Sequence, residues 1–170
     1  MYWLEFAIVA GTAFLTALLL TPLAHRLGVR WGLVAIPDHR RHHQGAIPVT
    51  GGFALFVAFT LAIVVAQFLP VERTDSNEII RFTGLLIGGT VIYAIGFVDD
   101  KYDLPALWLY IGQITTASIA ILFLIFIESF NNPLTGNNIQ IEPFWITVTI
   151  SLFWMGLMMN TVNFLDGSDG

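Results

Sequence analysis

The sequence predicts an all-α, polytopic integral membrane protein of about five transmembrane helices, and three observations carry that prediction. Hydrophobic residues make up 56% of the 170 positions and charged residues only 11%, with a mean hydropathy of +0.76; an ordinary soluble domain keeps about a quarter of its residues charged. The apolar residues gather into five stretches near the ~20 residues that a spanning helix needs. The segments between them hold most of the charge, a net −5 at neutral pH. There is no cysteine, which excludes disulfides and zinc-thiolate sites. There is no basic stripe either, so no nucleic-acid partner is expected.

The first stretch, Tyr2–Leu23, carries Glu5 near its start, has no basic leading region and no small-residue cleavage pattern, and so reads as an uncleaved anchor. The second, Gly51–Leu69, opens on a glycine pair. The third and fifth, Phe82–Val98 and Pro143–Met159, are short at about 17 residues and are expected to span with little tilt or in a locally thinned bilayer. Gly84 and Gly88 in the third form a small-xxx-small pair, which lets helices approach closely in lipid. The fourth runs Pro105–Ile127. Together they are expected to form one transmembrane helical domain over residues 1–170.

Sidedness follows from seven basic residues. Arg26, Arg30, Arg40 and Arg41 fall between the first two stretches and Lys101 after the third, against Arg73 and Arg81 between the second and third. By the positive-inside rule the amino terminus lies outside, and the Ala24–Thr50, Asp99–Leu104 and Asn160–Gly170 segments are cytoplasmic. The outward segments, Pro70–Arg81 and Glu128–Glu142, show no chemistry; the second holds the turn formers Asn131, Asn132, Pro133 and Gly136.

The three inward segments carry nearly all the unusual polar residues. PDHRRHHQGAIPVTGG, 37–52, contains His39, His42 and His43 and ends in Gly51 and Gly52. Amides exposed by these glycines at a helix start can receive phosphate oxygens with help from the helix dipole. The plainer reading is a basic juxtamembrane loop of the kind topology alone demands. The histidines lack the second ligand pair of a zinc site.

GFVDDKYD, 96–103, sets Asp99 and Asp100 at a helix carboxyl end, where the dipole disfavours negative charge. Such a local inconsistency tends to mark function. A hard cation such as Mg²⁺, which takes a few carboxylates together with substrate phosphates, would relieve their repulsion. The alternative is a solvated acidic turn with Lys101 as counter-charge. NTVNFLDGSDG, 160–170, spaces Asn160, Asn163, Asp166 and Asp169 three apart. If the helix continues through Phe164, the two amides share a face, and Gly167 and Gly170 let the backbone fold the aspartates back. The order of a calcium loop is missing, which leaves metal or sugar-nucleotide contacts or, more plainly, a glycine-rich turn.

In that order, after the first, third and fifth stretches, HHQGAIPVTGG, GFVDDKYD and NTVNFLDGSDG resemble the polyprenyl-phosphate N-acetylhexosamine-1-phosphate transferase family. The loop ending IPVTGG is closest to the branch that uses N-acetylglucosamine. The resemblance implies a magnesium-dependent transfer, with manganese as the alternative metal, from a UDP-N-acetylhexosamine to undecaprenyl phosphate. This would be an initiating step of cell-envelope polysaccharide synthesis, including lipopolysaccharide. It further implies a multi-pass protein of the bacterial inner membrane, contacting membrane lipid, with a cytoplasmic active site; a homodimer is compatible with it. Carried over by motif, Asp99, Asp100, Asp166 and Asp169 would be catalytic, with Asp99, Asp100 and Asp169 on the metal. His42, Gly51, Gly52, Asn160 and Asn163 would contact substrate. Leu107 and Leu109 stand where such proteins usually carry two basic residues, and the chain is expected to correspond to the amino-terminal half of the fold. Two other classes compete: a non-catalytic membrane protein, and an ion-coupled transporter, which would need carboxylates inside the membrane where only Glu5 comes close.

Overall fold

The computed structural model describes residues 2–35, 47–48 and 50–166. Five helices follow the five apolar stretches: α1 (Trp3–Trp31), α2 (Gly51–Gln67), α3 (Glu78–Tyr102), α4 (Ala106–Leu122) and α5 (Phe144–Asp166). Three of them, Trp3–Trp31, Glu78–Tyr102 and Phe144–Asn163, are long and apolar enough to cross a membrane. At 17 residues each, α2 and α4 are about 26 Å long and fall just short of a ~30 Å hydrocarbon core. The molecule is a mostly helical membrane protein.

Several expected boundaries are corrected. α1 continues eight residues past Leu23, so His25, Arg26 and Arg30 lie on its last turns. It stops at Gly32, whose φ of 70° turns the chain left-handed while its N–H bonds back to Val29 and that of Leu33 to Gly28. The third and fifth helices are not short, at 25 and 23 residues. The Asp99–Leu104 segment is not a loop throughout, because Asp99 and Asp100 are helical and α3 ends only where Asp103 takes φ 52° ahead of Pro105. α4 is shorter than expected: Leu124, at φ 61°, reverses the chain inside an apolar run.

The all-α expectation is corrected to the extent of two short antiparallel ribbons. β1 (Val34–Ala35) pairs with β2 (Ile47–Pro48), and β3 (Ser129–Asn131) pairs with β4 (Asn138–Gln140). Each closes a connection by backbone pairing that single-strand hydropathy does not reveal.

The chain divides into two compact units. In the first, residues 1–74 and 96–103, α2 lies along α1 with Ala54, Ala58 and Ala62 buried. The Thr50 hydroxyl donates to the Ala24 carbonyl at 2.7 Å, and Gly28 leaves room for it: a Cβ there would collide with Thr50 and stand 2.8 Å from Pro48. The far end of α2 is closed by Arg73, whose guanidinium donates to the carbonyls of Ala66 and Gln67 at 2.9 and 3.1 Å.

In the second unit, residues 75–95 and 104–170, α3 and α4 run antiparallel along a line of small residues. Gly84 faces Phe123, Gly88 faces Thr116, and Gly112 faces Ile95. The glycine pair thus has the packing role expected of it. α5 packs on α4, and its fully buried Ser151 accepts the Ile127 N–H at 2.9 Å. Arg81 at the start of α3 pairs with Asp75 at 3.4 Å and Glu128 at 3.2 Å.

Candidate functional site

Asp99 and Asp100 are the 22nd and 23rd of the 25 residues of α3. Twenty-one residues at 1.5 Å each cover about 31 Å, so the two aspartates lie about the thickness of a hydrocarbon core from the start of the helix. Asp99 is half-buried and Asp100 exposed. Neighbours on a helix diverge by about 100°, so the pair presents carboxylates to two directions rather than pinching one point. The Lys101 ammonium lies over the Tyr102 ring, 5.0 Å from the centroid.

The helix end holds a third carboxylate that sequence reasoning passed over. Asp103 lies four residues after Asp99, one turn on, and its N–H donates to the Asp99 carbonyl at 2.8 Å. Its left-handed φ is one that aspartate tolerates better than most residues. The i, i+4 spacing was the available signal. Among the described residues no group of three or more acidic, histidine or cysteine side chains forms a metal cage. Mg²⁺ does not require one, since it keeps several waters and binds through one or two carboxylates plus substrate phosphates.

Gly51 and Gly52 belong to the same compact unit as Asp99 and Asp100. They open α2, and a Cβ on either would meet nothing within 4 Å, so packing among the described residues does not explain why both lack side chains. Thr50 at the cap position makes no capping hydrogen bond because its hydroxyl is turned to Ala24. Among the described residues Thr50 thus leaves the first amides of α2 without a side-chain cap, the condition under which a helix start binds an anion. His42, with His39 and His43, lies outside the described residues.

The third motif lies in the second unit. α5 continues through Phe164 to Asp166, which meets the condition for Asn160 and Asn163 to share a face. A three-residue step rotates by about −60°, so Asn160 and Asn163 lie on neighbouring parts of one face near the end of the helix. Both asparagines are exposed. Asp169 lies outside the described residues.

The same unit has a recess of about 590 Å³ lined by Phe126, Glu128, Gln140, Glu142, Phe144 and Thr147. Thr147 is 19 residues before Asp166, about 29 Å along α5. The recess is therefore at the opposite end of the helix from Asn160 and Asn163.

Residues 82–170 match the profile of glycosyl transferase family 4. The chain is 29% identical over 98% of its length to decaprenyl-phosphate N-acetylglucosaminephosphotransferase of Mycolicibacterium smegmatis, and 30% identical over the same share to the protein of that name in Mycobacterium tuberculosis. It is 27% identical over 93% of its length to a probable undecaprenyl-phosphate N-acetylglucosaminyl 1-phosphate transferase of Bacillus subtilis. It spans 41% of the length of each of these relatives. No solved structure matches it.

Proposed function

Because the chain belongs to glycosyl transferase family 4, we propose that it serves in passing N-acetylglucosamine 1-phosphate from a UDP-linked donor to a polyprenyl phosphate, with undecaprenyl phosphate the first acceptor to test. The observation that carries the reading is the Asp99–Asp100 pair on the last turn of α3, in one compact unit with the open start of α2. The relatives' names supply the acceptor class and the sugar phosphate.

In the proposed reaction an oxygen of the lipid phosphate attacks the sugar-bearing phosphorus of the donor. One phosphoanhydride bond forms as another breaks, and UMP leaves. Such a transfer asks mainly for positioning and for neutralisation of oxygen charge. By motif Asp99, Asp100 and Asp169 are the candidate ligands of Mg²⁺, or Mn²⁺ in its place, and since such a cation needs only one or two carboxylates beside substrate phosphates, Asp99 and Asp100 need not both face it; when bound it would supply neutralisation of phosphate charge. The α2 amides at Gly51 and Gly52 would receive a phosphate oxygen, with His42 beside them in sequence. Asn160 and Asn163 would hydrogen-bond the nucleotide or sugar, and Asp166 would orient or deprotonate a reacting group. Lipid phosphate lies at the bilayer surface, and α3 presents its aspartates where a core-length helix ends.

In this reading all five helices span, with the amino terminus outside and the aspartates cytoplasmic. The structure adds two supports to the arginine count. Arg73 is turned onto a helix carboxyl end and Arg81 is matched by two carboxylates, whereas Arg26 and Arg30 ride on exposed turns of α1. We further propose the bacterial inner membrane as the location and the start of envelope polysaccharide assembly as the role.

The test is transfer of labelled sugar phosphate from UDP-N-acetylglucosamine to undecaprenyl phosphate in membranes, with Mg²⁺ present or chelated. The chain is assayed alone and joined to the remaining length of the Bacillus subtilis relative. Activity that needs the metal and falls by orders of magnitude in Asp99→Asn supports the reading. Activity unchanged by Asp99→Asn overturns the assignment of the acidic pair.

A further inference from the structure

The hairpin between α4 and α5 has two unlike faces. Phe130 and Ile139 are directly opposed across it and so project to one side. Ser129, Asn131, Asn138 and Gln140 project to the other and are stitched together there. The Asn138 amide donates to Ser129 and to Asn131, both at 3.1 Å, and Gln140 donates to Asn138 at 3.3 Å. The polar face thus satisfies itself, while on the other face Phe130 is 51% and Ile139 39% exposed. Leu134 at the tip is 93% exposed.

The tip presents that leucine on a turn whose backbone is largely bonded within itself. The Asn132 N–H donates to the Asn137 carbonyl at 2.9 Å, and the Gly136 N–H to the Asn132 carbonyl at 2.8 Å. The Asn132 side chain takes the Leu134 N–H at 2.9 Å, and Thr135 takes that of Asn137 at 3.4 Å. From Ser129 to Gln140 there is no charged residue. An isolated two-stranded hairpin is marginal in water, and this one leaves three large apolar side chains exposed in whole or in part.

Its place in the chain indicates what covers that face. Three residues, 141–143, separate β4 from α5, which is long and apolar enough to cross a membrane. Fully extended they carry the hairpin root no more than about 14 Å from the helix end, and the polar layer of a bilayer is roughly 5–8 Å deep on each side. Phe144 and Trp145, both exposed, begin α5 at the same level, where aromatic rings favour the interface. The apolar surface of the hairpin is therefore continuous with a surface that faces lipid. We propose that the hairpin lies flat on the bilayer, with Phe130, Ile139 and Leu134 in the boundary between headgroups and acyl chains and the amide face toward water.

The absence of cysteine makes the test direct, because single cysteines need no background removal. Phe130→Cys, Leu134→Cys, Ile139→Cys and, as the polar-face control, Asn131→Cys carry nitroxide labels in vesicles of phosphatidylethanolamine and phosphatidylglycerol. Collision with oxygen, which concentrates in lipid, is compared with collision with a water-soluble nickel chelate. The expected result is an oxygen-to-nickel ratio several-fold higher at 130, 134 and 139 than at 131. Equal ratios favouring nickel at all four would place the hairpin in water. Shielding of the three apolar sites from both reagents would assign the face to protein, a second copy included. Either outcome overturns the proposal, and neither depends on transferase activity.

Discussion

Gly84 and Gly88 are indistinguishable in sequence terms, and the structure predicts opposite outcomes for the same substitution. A Cβ at Gly84 would collide with the Cβ of Phe123, while one at Gly88 would sit 3.8 Å from a Thr116 methyl, an ordinary contact. The atom struck at Gly84 is next to backbone, and the backbone after it is fixed by the left-handed turn at Leu124, so rotation of the ring does not relieve the clash. Overpacking of this kind costs about 1–3 kcal/mol, and the immobile neighbour argues for the upper end. Against it stands the helix preference for alanine over glycine, about 1 kcal/mol. Gly84→Ala should therefore lose about 2 kcal/mol net and Gly88→Ala gain up to about 1 kcal/mol. Unfolding by sodium dodecyl sulfate in mixed micelles, followed by helical circular dichroism, measures both. Equal shifts for the two variants, in either direction, would refute the α3–α4 register from which the difference is worked.

Ser151→Ala removes the acceptor of the Ile127 N–H at a fully buried position. A loss of about 1–3 kcal/mol is expected, with faster hydrogen exchange at the Ile127 amide; unchanged exchange would contradict the bond. Thr50→Val keeps the shape but loses the hydroxyl that holds the start of α2 to Ala24. It should cost about 0.5–1.5 kcal/mol, with Thr50→Ser recovering most of it, again by detergent unfolding; serine no better than valine would show that the methyl group matters and the hydrogen bond does not.

Much of the fold was legible because hydropathy over 20 residues reports bilayer crossing directly. It does not report where a helix ends. Asp99 and Asp100 are polar enough to close an apolar window, yet nothing near them breaks a helix until Asp103 and Pro105, so α3 runs on. α4 shows the converse: Leu122 to Ile127 is apolar throughout, and the chain turns at Leu124 with neither glycine nor proline to announce it. The turn formers 131–136 were visible, but the ribbon they close depends on pairing between strands of three residues each, too short for a period-two signal. For the candidate site, residue types and order were legible, and so was the glycine pair at the start of α2. The turning of Thr50 away from that start depends on contact across 26 residues with Ala24 and leaves no local trace.

α2 raises a separate point about how a membrane helix records its own orientation. Apart from Thr60 and the terminal Gln67 it is apolar all round, and lipid tails are as apolar as leucine, so polarity gives α2 little preferred direction to face. What distinguishes the side toward α1 is bulk: Ala54, Ala58 and Ala62 are buried there, while Leu55, Phe59 and Leu61 point out. The orientation of α2 is thus encoded in side-chain volume at four-residue intervals. A change that preserves hydropathy, such as Ala58→Leu, corrupts that code, whereas Ala58→Ser, which alters hydropathy and conserves size, leaves it readable.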